Sequence, residues 1–445
     1  MTTPIVDFAR RYADSDTLRL HMPGHKGQGE LGVEPLDLTE IHGADSLYEA
    51  DGIIAESERN ASQLFGCPTF YSTEGSSLCI RAMLLLLTQY AKERGKAPLI
   101  LAGRNAHKTF LSGVALLDLE VEWLYSEDSY LSCAVTAEAL DRRLDRMEHL
   151  PIAVYLTAPD YLGNCVDWEE LSAVCHRHGV LLAVDCAHGA YLRFLNPSRH
   201  PMDSGVDICC SSAHKTLPVL TGGAYLHIAN RAPACFWQQA KHALAMFGST
   251  SPSYLILQSL DRANAVLAGD YPCQLQKFAE RVLIFRSDAE KIGYVFEGDE
   301  ATKLTVKTKA YGYLGTEFAA LLREQGLECE FADRDYTVLM LTPEIGSEGL
   351  ERLAHAMRSI PQRIAIDELA PSPSRLVSVM SVREAMLSPL EYLPVEACEG
   401  RVLASATVGC PPAVPLAICG ERIDRQAIQS FLYHGIHHLW VVKNK

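Results

Sequence analysis

At 445 residues the chain is too long for one ordinary hydrophobic core and is expected to divide into two or three domains. Hydrophobic residues make up 48% of it and charged residues 21%, the balance of a soluble globular protein. A net charge of -15 at pH 7 argues against a nucleic-acid partner, which needs basic patches, and suits cationic substrates weakly.

The N-terminal stretch Met1 to Arg11 has no basic start followed by an apolar core, so no secretory signal is read there. Residues 1 to about 16 read as a short helix, and His21-Met-Pro-Gly-His-Lys-Gly27 as an irregular turn. A loop with several acids, Leu36 to Gly52, leads into a helix over Ile53 to Phe65. Tyr71-Ser-Thr-Glu-Gly-Ser-Ser77 then opens a long run of helix formers to Arg94, closed by Gly95. Gly75, Ser76 and Ser77 at that helix start would offer backbone N–H groups, hydroxyls and the positive end of the helix dipole to a phosphate. Serine is also a common N-cap, so this stretch alone reads either way. The apolar cluster Ala82 to Leu87 is far too short to cross a bilayer, and no membrane partner is expected.

Strands are predicted over Pro98 to Ala102, Pro151 to Thr157, Val180 to Asp185, Asp207 to Ser212 and Gly223 to Ile228. Helices lie between them, among them Trp168 to His178, with Asp167 as N-cap and Gly179 behind. Near-continuous apolar strands alternating with helices imply an α/β fold with a mostly parallel sheet sandwiched by helices. Ligands in such sheets bind beyond the carboxyl ends of the strands, where Asp185 and Lys215 fall.

Lys215 ends the stretch Val206-Asp-Ile-Cys-Cys-Ser-Ser-Ala-His-Lys, and a lysine held against desolvated surroundings is an amine nucleophile toward an aldehyde. Paired with a carboxylate at the end of the preceding strand, it meets the needs of pyridoxal phosphate. The lysine forms the Schiff base, and the carboxylate keeps the pyridine nitrogen protonated. Taken singly, Lys215 reads as a solvated strand-end lysine and Asp185 as a turn cap. A buried Asp185 should have a cationic partner. His188 and His214 would orient the Schiff base, touch phosphate or satisfy backbone groups. Asp160 reads as a cation-recognising acid or a turn residue.

Ser249-Thr-Ser-Pro-Ser-Tyr254 precedes a helix running to Ala268, and residues 270 to 295 look helical and connecting. Lys303 to Thr308, the helix Leu314 to Gln325, Glu328 to Ala332, Val338 to Thr342 and the helix Gly349 to Ile360 compose a small βαββα unit. Pro361, Pro371 and Pro373 mark a linker, after which come Ser381-Val-Arg-Glu-Ala385, Cys410-Pro-Pro-Ala-Val-Pro415 and Gly420-Glu421. Glu421 and Arg383 read as substrate-pocket residues or as a structural salt bridge. The expected domains are an arm over 1–35, a large cofactor-binding domain over 36–270, a small α+β domain over 271–365 and a C-terminal domain over 366–445. Fourteen cysteines without Cys-x-x-Cys spacing fit reduced thiols in the cytoplasm, and none of the sixteen histidines forms a metal motif, so no metal is expected.

The segments His21-Met-Pro-Gly-His-Lys-Gly27, Arg104-Asn-Ala-His-Lys108, Ala158-Pro-Asp-Tyr-Leu-Gly163, Asp185-Cys-Ala-His-Gly189, Ser212-Ala-His-Lys-Thr-Leu217 and Ser249-Thr-Ser-Pro-Ser-Tyr254 together resemble the ornithine/lysine/arginine decarboxylase family. The likeness runs from about residue 18 to about 265 and resumes weakly from about 380 to 425. It implies a fold-type I, aspartate-aminotransferase-like enzyme that uses pyridoxal 5'-phosphate to decarboxylate a basic L-amino acid. Arginine giving agmatine is the first choice of substrate, with lysine or ornithine behind it, in polyamine biosynthesis. It further implies that His107 stacks on the cofactor ring and that Thr250 reaches the phosphate of a neighbouring subunit, in a homodimer with shared active sites. His25 and Lys26 would lie in an arm near the site. Asp45 to Gly52 departs from the family's pattern, which leaves Tyr48 without an assigned role, and Asp160 stands where the family commonly has a neutral residue. Candidate catalytic residues are thus Lys215, Asp185, His107 and His214. Candidate cofactor contacts are Gly75, Ser76, Ser77, His107, Asp185, Ala187, His188, Ser212, His214, Lys215 and Thr250. An aminotransferase or another pyridoxal-phosphate enzyme would use the same lysine and aspartate, and a non-catalytic family member would keep the fold alone.

Overall fold

The computed structural model describes residues 1–125, 135–372, 374–409 and 415–444; Pro373 of the linker and Cys410 to Val414 of the Cys-Pro-Pro segment lie outside the described residues. The chain folds as two compact units, one built from Met1–Lys96 and Trp168–Gln276, the other from Ala97–Asp167 and Lys277–Lys445.

In the first unit the strands Thr69–Ser72, Ala224–Ile228, Ile208–Ser211 and Leu181–Asp185 lie side by side in that order. Leu181–Asp185 and Ile208–Ser211 run parallel, with Val184 opposite Cys209 and Asp185 opposite Cys210. Ala224–Ile228 is antiparallel to both of its neighbours. Nearly every residue of these strands is buried, which is why they read as continuous apolar runs without alternation. The helix Gly75–Glu93 packs on Ile208–Ser211 and Ala224–Ile228 and against the helix Ala234–Ala245, burying Leu78, Ala82, Leu86 and Leu87 on the way. The N-terminal helix Pro4–Ala13 packs on Ile53–Phe65 and Tyr254–Leu267. Its start is held by Asp261, whose Oδ2 accepts from the N–H groups of Ile5 and Val6, each at 3.0 Å.

In the second unit Ala153–Thr157, Leu99–Gly103 and Glu120–Leu124 form a parallel row in that order. A separate antiparallel sheet orders Phe331–Ala332, Tyr336–Met340, Lys303–Lys307 and Phe296–Glu297, and the helices Tyr271–Lys291, Gly315–Glu324 and Gly346–Ser359 accompany it. Residues 278 to 360 share one apolar core there, and residues 376 to 441 share another. The helix Lys108–Leu117, the strand Glu120–Leu124 and the helices Ala137–Asp145 and Ala234–Ala245 were not anticipated from the sequence. Among the described residues no helix is long and apolar enough to cross a membrane.

Candidate active site

The first unit gathers most of the expected residues at the carboxyl ends of two neighbouring strands. Ile208–Ser211 ends in Ser212, and the single turn Ala213–Thr216 that follows carries Lys215. Its Nζ lies 3.0 Å from Nε2 of His188, which comes from the loop after Leu181–Asp185 and is 7% exposed. A lysine amine and an imidazole at this distance share a hydrogen bond and can exchange a proton. His214 lies beside the Gly75 helix start, its Cε1 3.9 Å from where a Cβ on Gly75 would stand and its Nδ1 3.0 Å from the carbonyl oxygen of Gly223.

Asp185 is 2% exposed. Its Oδ1 accepts from the N–H of Ala187 at 3.1 Å and from the Cys210 thiol at 3.6 Å. Neither partner is charged, and among the described residues no Lys or Arg pairs with this carboxylate. The cationic partner that burial demands is therefore not supplied by the described residues. Cys79 and Cys210 make the surroundings apolar; burial pushes the Cys79 thiol up to about 12 and Cys210 well above the ordinary range, with the Asp185 charge a further cause for each.

The helix start at Gly75 is built as a cradle. The N-cap residue, Glu74, makes no side-chain cap on the first turn; its carboxylate instead accepts from the N–H of Ser249 at 2.6 Å. Ser76 Oγ accepts from Ser212 Oγ at 2.9 Å, tying the cradle to the lysine turn. Gly75 has φ +70° and its N–H donates to the carbonyl of Gly222 at 2.7 Å. Gly222 has φ +105°, and a Cβ there would meet the carbonyl oxygen of Thr73 at 2.7 Å, so the approach of the two loops admits only glycine. Backbone N–H groups at an uncapped helix start, two serine hydroxyls, a lysine amine and a buried carboxylate without a cation among the described residues fit a phosphorylated pyridine aldehyde at its phosphate, its aldehyde and its ring nitrogen.

The remaining candidates are spread more widely. Thr250 is exposed in the segment before the helix Tyr254–Leu267. His107 belongs to the second unit, where it caps Lys108–Leu117 by accepting from the N–H of Thr109 at 3.3 Å. His25 lies 3.3 Å from Asp37, and Lys26 Nζ donates to the carbonyl of His21 at 2.6 Å. Asp160 proves to be a turn residue, 4% exposed, accepting from the N–H groups of Leu162 and Asn164 and from the Asn164 side chain. Glu421 forms a structural salt bridge, with Arg104 and not with Arg383, which donates instead to the carbonyl of Ala115. Sequence reasoning missed the Cys210 thiol on Asp185 and the part played by Gly222, for which the adjacent pair Gly222-Gly223 was the available signal. It also left Tyr48 unassigned. The Tyr48 hydroxyl is buried beneath Gly248 without a hydrogen-bond partner among the described residues, and burial, with the Glu74 charge, pushes it up to about 12.

Residues 3–296 match the Orn/Lys/Arg decarboxylase major domain, and residues 356–436 match the C-terminal domain of the same family. The chain belongs to the Orn/Lys/Arg decarboxylase family. It is a decarboxylase, and with that membership comes the cofactor that the lysine and carboxylate called for, pyridoxal 5'-phosphate. An arginine decarboxylase of Bacillus subtilis is 26% identical over 473 residues, covering 98% of this chain and 94% of its own length. A lysine decarboxylase of Pseudomonas aeruginosa is 26% identical over 307 residues, covering 60% of this chain and 40% of its own. Among solved structures, a lysine decarboxylase of Francisella novicida superposes with a TM-score of 0.80 at 15% identity, over 99% of this chain and 81% of its own. The expected fold-type I α/β architecture is thereby borne out.

Proposed function

We propose that this decarboxylase acts at the α-carbon of a basic L-amino acid, with L-arginine giving agmatine as its first substrate and L-lysine or L-ornithine as the alternatives. The observation that carries the reading is the buried Asp185 carboxylate without a cation among the described residues, in the same unit as the Lys215–His188 pair. Arginine is placed first because the full-length relative from Bacillus subtilis carries that name, and lysine stays open because of the relative from Pseudomonas aeruginosa.

When bound, the cofactor supplies an electron sink for the pair left on the α-carbon as carbon dioxide departs. The chain's own residues do the rest. Lys215 supplies the amine that holds the cofactor aldehyde between turnovers. His188 would take up and return a proton at Lys215 Nζ, leaving that amine neutral as a nucleophile or protonated as a donor. Asp185 would accept from the pyridine nitrogen, with Ala187 N–H and Cys210 fixing its orientation. Gly75, Ser76, Ser77 and Ser212 would bind the phosphate, and His214, anchored to Gly223, holds the turn that presents Lys215. His107 is assigned to the face of the ring. Thr250 is assigned to the partner subunit's phosphate in a homodimer with shared sites, a reading supported by the apolar surface that the arm exposes at Leu18, Leu20, Met22 and Leu31. The arm, large domain, small α+β domain and C-terminal domain keep the boundaries given above, the last two supported by their separate apolar cores. A cytoplasmic location and a role in polyamine synthesis complete the reading, the former supported by twelve described cysteines that are all free thiols.

The test is incubation of the cofactor-loaded protein with each of the three amino acids, trapping carbon dioxide and identifying the amine. Agmatine from arginine is expected. Carbon dioxide from lysine or ornithine alone would move the substrate assignment, and a keto acid without carbon dioxide would overturn the reaction.

A further inference from the structure

Behind the site, on the face of Leu181–Asp185 and Ile208–Ser211 that carries Val184 and Cys209, two thiols and an imidazole converge. Cys186, Cys209 and His200 are each 0% exposed, and their ligand atoms lie within 4.8 Å of one another. They are far apart in the chain, and no sequence spacing announces them. Cys186 is fixed by its own N–H, which donates to the carbonyl of Cys210 at 2.9 Å, and its thiol meets that of Cys209. The ring nitrogens of His200 make only long contacts: Nε2 lies 3.3 Å from Ser211 Oγ, and Nδ1 accepts from the N–H of Met202 at 3.4 Å. A fully buried imidazole with stretched hydrogen bonds beside two thiols is a soft donor set without an acceptor to match.

We propose that Cys186, Cys209 and His200 bind one thiophilic divalent cation of the zinc class, as a structural staple behind the cofactor seat. Three observations favour it over a merely packed thiol pair. The ligand types are those such ions take, at about 2.3 Å to sulfur and about 2.0 Å to nitrogen. Tetrahedral geometry at those lengths sets neighbouring ligand atoms about 3.5 to 3.8 Å apart, so atoms that lie within 4.8 Å of one another need close by no more than about 1.3 Å. The charge also balances: loading releases both thiol protons to solvent, and a dication with two thiolates and a neutral imidazole is neutral, as a buried site must be. A second group of candidate ligands, Asp333, Asp335 and His434, already holds a cation in the Lys309 ammonium, 2.7 Å from Asp335.

The consequence is local. Cys186 follows Asp185, and Cys209 precedes Cys210, whose thiol touches Asp185, so the staple would fix the carboxylate from both strands. The claim does not depend on the decarboxylase reading, because its test reads the metal itself. The full chain would be prepared with its cofactor from zinc-supplemented medium, and also refolded with Cd2+ present to remove any barrier to entry. The expected result is about one metal per chain, a thiolate-to-cadmium charge-transfer band in the ultraviolet and a higher thermal midpoint. Cys186→Ser and Cys209→Ser should each weaken binding at least tenfold, while Cys273→Ser, at an exposed thiol, should not. In the unmutated chain, bound 113Cd should give a single resonance in the range of two thiolate ligands and one nitrogen, which needs no variant to fold. Absence of stoichiometric metal from both preparations, a band indifferent to both substitutions, or a metal-free Cys186–Cys209 disulfide would each overturn the proposal.

Discussion

Glu421→Gln is expected to destabilise the second unit strongly. Glu421 and Arg104 are each 4% exposed at their side chains, and the two carboxylate oxygens accept from Nη1 and Nη2 at 2.7 Å. Glu421 Oε2 also accepts from the N–H of Ile418 at 2.8 Å. The glutamine amide keeps one acceptor and turns a donor toward the guanidinium, leaving a buried cation without its counter-charge, at a cost of about 3–5 kcal/mol. Arg104 also lies 5.6 and 5.4 Å from the ring centroids of Trp123 and Tyr125, cation–π contacts that both forms keep and that leave the guanidinium partly compensated, which places the loss at the low end of that range. The net loss should be about 3 kcal/mol, on the order of a hundredfold in the folded-to-unfolded ratio. Urea denaturation followed by tryptophan fluorescence would measure it. Arg104→Met/Glu421→Leu, which removes both charges, should recover most of the loss, and Arg323→Ala, at an exposed ion pair, should leave the transition unmoved. An unshifted midpoint for Glu421→Gln, or a double variant as unstable as the single one, would refute the reasoning.

Three further perturbations test the site and its support. Gly222→Ala places a methyl group against the Thr73 carbonyl at φ +105° and should weaken cofactor binding at least tenfold, read from the absorbance of the bound cofactor against its concentration; unchanged affinity would contradict the cradle. His188→Gln should keep the visible band of the bound cofactor and lower kcat by about a hundredfold, so a variant with unaltered turnover would remove His188 from proton transfer. Asp160, buried and without full compensation, is pushed up from 3.8 to about 6. Its folded-state value lies above the unfolded one, so its contribution to stability is complete below about pH 4 and falls as pH rises to about 6, by about 3 kcal/mol at most. Asp160→Asn should therefore be stabilised relative to the unmutated chain as pH rises across that window, and parallel curves of thermal midpoint against pH would contradict this.

What the sequence revealed follows from what local chemistry can encode. The helix Ile53–Phe65 has the anticipated bounds because Gly66, at φ +72°, ends it as glycine does after a last turn. The buried strands were legible as short apolar runs. Glu120–Leu124 was not, because Glu-Val-Glu-Trp-Leu alternates as the end strand of its row and buries only Leu124 fully. Lys108–Leu117 contains Ser112 and Gly113, which blur a helical signal that packing later restores. In the site, Lys215, Asp185 and Ser76 were legible because strand ends and helix starts are local features. The Cys210 thiol on Asp185 and the meeting of Cys186, Cys209 and His200 depend on which strand lies beside which, and that register is a property of the folded sheet.

The central claim is that Lys215 holds the cofactor. Borohydride reduction of the cofactor-loaded chain, followed by peptide mapping, tests it most directly, since reduction makes the bond between lysine and cofactor permanent. One modified peptide is expected, carrying the pyridoxyl group on Lys215, with simultaneous loss of the visible band and of carbon dioxide release. A label on another lysine, or undiminished decarboxylation by Lys215→Ala, would contradict it.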